Sequence, residues 1–392
     1  MFEQLEKKFY ETYGKSNFPV KAFFVPGRVN LIGEHIDYCG GKVLPATLQM
    51  ATYAIARKTG DIIVRMKSTF RDKQVDFSVE SIKYASENDW GNYPMGVFNE
   101  YASRCSTLEG AEILFYGNIP GGGLSSSASL EICTALIIES LNSCKLDKDP
   151  LENRKQMAWL CQHAENTFNG VNCGIMDQAA IALGKEKKAI LMDCSNLDIS
   201  YVDMELGEHE IIIMDSCKKR TLAASKYNER RQETEQALEI LQNHFEITNL
   251  CDLTIEQLPQ VLEQLDSDLL KIRTRHVITE NNRVLKAYKA LGNNDLKAFG
   301  ELMNDSHLSL KNDFEVTGIE LDSLFNNSIR LPGVLGARMT GGGFGGCAIA
   351  LVNKKQSTAF KAQIEKLYTE EIGYPPKFYS TKIGYEAKEC VF

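Results

Sequence analysis

Apolar residues recur along this chain with two periods, and blocks of each alternate. Phe2, Leu5, Phe9 and Tyr13 fall at helical spacing and predict an opening helix over residues 2–14. The run Ala22-Phe23-Phe24-Val25 is cut by Pro26-Gly27, and a turn-rich stretch to Gly41 leads to Lys42-Val43-Leu44-Pro45. Segments 51–57 and 61–66 read as strands, and 74–79 alternates like one. The N-terminal region is therefore expected to be rich in β structure.

Residues 111–117 predict another strand, and a glycine- and serine-rich loop over 118–127 follows it. The helix predicted at 128–142 is apolar nearly all round, which marks it as buried. A helix at 152–166, a break from Gly170 to Gly174 and a helical stretch from Ile175 come next. A second half opens near residue 205. It holds a strand at 210–215, a long polar-faced helix at 225–244 and helical patterns through 255–327. The pattern then returns to strand, turn and strand, with 335–338 and 346–352 as the strands. No internal repeat, low-complexity tract or flexible linker interrupts it.

Composition narrows the classes. With 392 residues, 43% hydrophobic and 24% charged, the chain has the balance of a globular protein with ample core material. Its 44 Lys and Arg against 52 Asp and Glu give a net charge of −8, so it lacks the basic surplus of phosphate-tracking nucleic-acid binders. No apolar run approaches the length of a membrane-spanning helix, and the first ten residues are too charged for a secretory signal. The 11 cysteines are scattered, with no C-x-x-C pair, which argues against a disulfide framework or a zinc site. Cys39, Cys105, Cys133 and Cys347 read as small core hydrophobes. These features lead us to expect a soluble, cytoplasmic protein with reduced thiols and neither nucleic acid nor membrane as a partner.

Four segments could carry chemistry. The first, residues 26–41, places Arg28, Glu34, His35 and Asp37 among four glycines. Carboxylates that accept and an imidazole that can donate or accept suit a polyhydroxylated ligand, although alone the stretch reads as a solvated turn. The second is the 118–127 loop running into an apolar helix, where backbone N–H groups, the helix dipole and serine hydroxyls suit an anion. It is no Walker A loop, because no Gly-Lys-Ser/Thr follows. The third is Asn172-Cys173-Gly174-Ile175-Met176-Asp177-Gln178, in which Asp177 by itself reads as a helix-capping carboxylate. Upstream, Glu165 reads as a solvated side chain. The fourth, residues 341–346, matches G-x-G-x-x-G formally but precedes a strand, so it reads as a close-packed glycine loop rather than a dinucleotide fingerprint. His209, His244, His276 and His307 receive no role.

In this order, the segments resemble the small-molecule kinases of the galactokinase, homoserine kinase, mevalonate kinase and phosphomevalonate kinase (GHMP) superfamily. The stretch Gly27-Arg28-Val29-Asn30-Leu31-Ile32-Gly33-Glu34-His35-Ile36-Asp37-Tyr38 is similar to the galactokinase signature, residues 120–129 to the superfamily ATP loop, and 336–346 to its third motif. Ile36 and Cys39 depart from the usual threonine and asparagine. The resemblance implies an α+β fold with two lobes, an N-terminal ribosomal-protein-S5-like domain over 1–205 and a ferredoxin-like domain over 206–392, with the active site in the cleft between them. It implies an ATP:D-galactose 1-phosphotransferase that uses Mg2+ and acts as a monomer. A kinase for a related sugar such as N-acetylgalactosamine, or a non-catalytic galactose and ATP sensor, are the alternatives. Carried over residue by residue, Asp177 is the catalytic base and Arg28 its partner. Glu34, His35, Ile36, Asp37, Gly174 and Tyr227 form the sugar site. Ser68, Gly121, Gly122, Gly123, Leu124, Ser125, Ser126 and Ser127 contact the nucleotide, and Ser127 and Glu165 reach the metal.

Overall fold

The computed structural model describes residues 1–120, 123–218 and 223–391. In chain order, the first lobe comprises α1 (Phe2–Tyr13), β1 (Lys21–Asn30), β2 (Lys42–Val43), β3 (Pro45–Lys58), β4 (Ile63–Ser68) and β5 (Val75–Ser78). There follow α2 (Asn92–Ala102), β6 (Ala111–Gly117), α3 (Ser126–Asn142), α4 (Pro150–Thr167), α5 (Met176–Ala182), β7 (Lys188–Asp193) and β8 (Ile199–Asp203). The second lobe runs through β9 (His209–Asp215), α6 (Ala223–Leu241), α7 (Leu258–Glu263), α8 (Asp268–Gly292), α9 (Leu296–Asn312) and α10 (Gly318–Ser328). It ends with β10 (Val334–Thr340), β11 (Cys347–Asn353), α11 (Ser357–Ile372) and β12 (Lys377–Ser380), and β13 (Lys388–Cys390) follows.

Period-2 alternation puts the central strands of the first sheet between two cores. Phe23, Ala54, Ala56, Ile113 and Phe115 point to the main core, whereas Ala22, Ile55 and Leu114 point the other way, onto Leu5 and Phe9 of α1. The sheet runs β13-β1-β3-β6-β4-β5, with β7 joining β3 and carrying β2 and β8; only the β4–β6 pair is parallel. The apolar helix α3 is covered by the sheet and by α2, α4 and α5, which is why it needs no polar face. A second sheet, β10-β11-β9-β12, has β11 buried from Cys347 to Val352. The architecture is thus the expected two-lobed α+β fold. The chain end returns to the first sheet, where β13 pairs with β1.

Several local expectations change. The strand expected at 51–57 is part of the longer, 14-residue β3, which begins at Pro45, and the short β2 precedes it. The strands β7, β8, β12 and β13 carry no strong pattern and form through tertiary pairing. Cys105 is no core thiol but is disulfide-bonded to Cys144, 39 residues away. That spacing has no local signature; packing of α2 against α3 brings the two segments together. Cys39 and Cys133 are buried free thiols as expected, and Cys347 is buried at the start of β11. Among the described residues, no helix is long and apolar enough to cross a membrane.

Candidate active site

A cavity of about 360 Å³ opens where the turn after β1, the start of α3, the loop before α5 and the β10–β11 loop meet. Arg28, near the end of β1, is almost wholly buried and donates through Nε and Nη2 to Asp177 Oδ1, at 2.7 and 2.6 Å. Its Nη1 donates to the Gly123 carbonyl at 2.5 Å, and the Leu124 carbonyl accepts its backbone N–H. The Ser125 hydroxyl donates to the other Asp177 oxygen. Asp177 lies in the first turn of α5 but is fixed by a distant arginine and serine, with its carboxylate partly open to the cavity. This is not the bare helix-capping carboxylate that the local sequence suggested.

Glu34 is 1% exposed, and its oxygens accept from Asn30 Nδ2 (2.8 Å), the Gly341 N–H (2.8 Å) and Arg338 Nη1 (3.3 Å). His35 sits in the left-handed region at φ 62, a conformation costing a residue with a side chain about 1–2 kcal/mol. Its Nε2 lies 3.3 Å from the Gly342 carbonyl, which can only accept, so Nε2 carries the proton. Nδ1 then accepts from the Tyr38 hydroxyl at 2.8 Å, and both ring nitrogens are committed to the protein. Burial holds the imidazole neutral, with its pKa lowered to about 3.

Asp37 keeps more capacity. Its partners include the backbone N–H groups of Tyr38 and Met176, while burial and then the negative charge of Asp177 push its pKa up to about 6. Gly174 makes room for it: a Cβ there would stand 1.9 Å from Asp37 Oδ2. Tyr227, from α6, closes this wall with its ring 5.2 Å from that of His35. Ile36 is brought elsewhere, fully buried in the apolar core and off the cavity.

The opposite requirements hold at α3. Ser126 is exposed, Ser127 half-buried, and the helix N-terminus has no side-chain cap, so its first N–H groups are available to an anion. Gly123, Ser125, Ser126 and Ser127 line the cavity, and Leu124 is a core residue that contributes its carbonyl to Arg28. Gly121 and Gly122 lie outside the described residues. Ser68 closes β4 and accepts the Phe70 N–H, away from the cavity lining. The glycine loop at 341–346 joins β10 to β11, as its strand context required, and Gly341 packs against Gly123.

Glu165, near the end of α4, is 6% exposed rather than solvated. Burial and the charge of Asp177 raise its pKa to about 7, against hydrogen bonds from Ser127, Cys173 and Gln178. Gln178 Nε2 bridges Glu165 (2.6 Å) to the fully buried Glu131 (3.0 Å), whose Oε1 accepts no hydrogen bond among the described residues. Sequence reasoning missed Glu131, Gln178, Asn30 and Arg338. An acid inside an apolar helix and an arginine inside an apolar strand were the available signals.

The chain is similar to known proteins at two levels. Residues 92–185 and 287–370 match the models described as "GHMP kinases N terminal domain" and "GHMP kinases C terminal", which makes the chain a small-molecule kinase of the GHMP class. The Methanococcus jannaschii mevalonate kinase structure covers 94% of this chain and 99% of its own at a TM-score of 0.62 and 18% identity, a likeness of fold. Residues 7–58 match the "Galactokinase galactose-binding signature". The galactokinase of Clostridium tetani is 45% identical over 383 residues, 97% of this chain and 96% of that protein. That of Enterococcus faecalis is 44% identical over 393 residues, 99% and 100% of the two chains. The crystal structure of Lactococcus lactis galactokinase complexed with galactose matches with a TM-score of 0.94 and 40% identity over 99% of both chains. The chain belongs to the galactokinase family.

Proposed function

We infer that this protein phosphorylates D-galactose at its C1 hydroxyl with ATP, releasing α-D-galactose 1-phosphate and ADP. The observation that carries the reading is the Arg28–Asp177–Ser125 constellation beside the uncapped start of α3. In it, Asp177 accepts the proton of the C1 hydroxyl as that oxygen attacks the γ-phosphorus and the bond to ADP breaks. Arg28 fixes the Asp177 carboxylate by donating to Oδ1 twice, and it offsets charge growing on the transferred group. Asp37 and Glu34, with Gly174 and Tyr227 behind them, orient the sugar; His35 shapes the pocket with its polar atoms already committed.

The cavity also fits Mg2+. Arg28 is the one Lys or Arg among its described lining residues, set against Glu34, Asp37, Glu165 and Asp177, so a polyphosphate needs a further cation there. Ser127 and Glu165 supply hard oxygen donors. Bound Mg2+ would neutralise phosphate charge, and Ser127 and Glu165 would hold it. We further place the enzyme in the cytoplasm as a monomer, with the lobes dividing near residue 205 apart from the returning β13.

The test is ADP release with Mg–ATP against galactose, N-acetylgalactosamine, glucose and mevalonate, with the product's phosphate position read by NMR. Turnover confined to galactose with C1 phosphorylation supports the reading. Binding of galactose without turnover, or preference for another acceptor, overturns it.

A further inference from the structure

Helix α8 lies in the second lobe, yet one of its faces grips the sugar-binding turn of the first. His276, Glu280, Asn281 and Val284 stand at positions i, i+4, i+5 and i+8, a single helical face. His276 Nε2 is 3.0 Å from the Glu34 carbonyl, and Glu280 Oε1 accepts the Gly33 N–H at 2.9 Å. Asn281 Oδ1 accepts the Lys42 N–H at 2.9 Å. Gly33, at φ 105, packs so tightly on this face that a Cβ would stand 2.9 Å from Val284 Cγ2.

The bond from His276 falls on one particular peptide. The Glu34 carbonyl belongs to the unit joining Glu34 to His35, and the orientation of that unit sets the left-handed φ of His35. Because a carbonyl only accepts, His276 must carry its proton on Nε2. Burial keeps the ring from charging, with its pKa lowered to about 4. Its Nδ1 lies 2.9 Å from the Ser309 hydroxyl, and Phe314 packs against both imidazoles, 4.5 Å from His276 and 5.0 Å from His35.

We propose that His276 is a positioning residue for sugar binding: by donating to the Glu34 carbonyl it locks the Glu34–His35 peptide and so sets Glu34, His35 and Asp37 in the cavity. The proposal rests on the reading of that turn as the sugar site. It makes the packing of the two lobes part of sugar recognition, while the hydrogen bonds of the His276 ring run to Ser309 and Glu34 and not to the wall at α3.

The experiment compares His276→Phe, which keeps a ring against Phe314 but removes the donor, with His276→Gln, which restores an N–H near the Nε2 position. The Phe variant should raise the galactose KM, and the galactose Kd by calorimetry, about tenfold, with kcat and the KM for Mg–ATP within about twofold of the parent. The Gln variant should recover most of that loss. A Phe variant with unchanged galactose Kd and only a lowered Tm overturns the proposal, as does an equal loss for both substrates. If the parent itself fails to turn over galactose, the functional reading falls. The same titrations with the sugar it does phosphorylate then decide the role of His276.

Discussion

Glu34, His35 and Asp37 are 1%, 4% and 9% exposed, and bonds from both lobes hold the first two, whereas Ser126 in the same cavity is exposed on an uncapped helix start. The contrast follows from what each wall must recognise. Sugar hydroxyls are neutral, and one hexose differs from another only in their directions, so the groups that read them must be fixed before binding. A polyphosphate is recognised by charge and by many equivalent oxygens, so uncommitted N–H and O–H donors serve it better than committed ones. The sugar wall is paid for with buried ion pairs and a left-handed histidine.

The largest break in this comparison should come where the walls meet. Replacing Asp177 by Asn should lower kcat by about 10³-fold or more while leaving galactose affinity within about threefold, in coupled ADP assays and calorimetry. Near-normal kcat would remove Asp177 as the base. Next, Gly174→Ala and Ser127→Ala should separate the walls. The first drives a methyl into Asp37 and should raise the galactose KM about tenfold or more; the second should raise the KM for Mg–ATP by a similar factor and spare galactose. Crossed effects would mean the two sites do not divide as described.

A smaller effect concerns pH. The Asp37 pKa is raised from 3.8 to about 6, so between these values the folded protein holds a proton the unfolded chain has released, and stability from this group falls as pH rises. Above about pH 6 the buried charge is a cost, and Asp37→Asn should raise Tm there while weakening galactose binding. In the parent, kcat/KM for galactose should fall as pH drops through about 6, where the acceptor is lost. A flat acid limb would show that Asp37 does not read the sugar as a carboxylate. The smallest effect is expected for Ile36→Thr. A hydroxyl placed in the apolar core should lower stability by about 1–2 kcal/mol with the galactose KM unchanged within about twofold. A changed KM would bring position 36 back into the sugar site.

Elements whose signal is local could be read along the chain. Strand alternation at 111–117, the apolar α3 and the turn chemistry around Arg28 to Asp37 were legible because each depends on neighbours within a few residues. Motif order then carried the family, and with it the choice of Asp177, which local pattern alone reads as a cap. Only the tertiary structure decided which polar atoms are spent and which are free. That His35 Nε2 is committed to Gly342, that Glu165 is buried beside Glu131, and that Cys105 meets Cys144 depend on residues tens to hundreds of positions apart. His276 shows the same limit: in the sequence it is one polar residue on a helix, and its partner lies 242 positions away. Burial and hydrogen bonding are properties of three-dimensional neighbours, so a pattern along the chain can name a residue's type and element without fixing what its atoms touch.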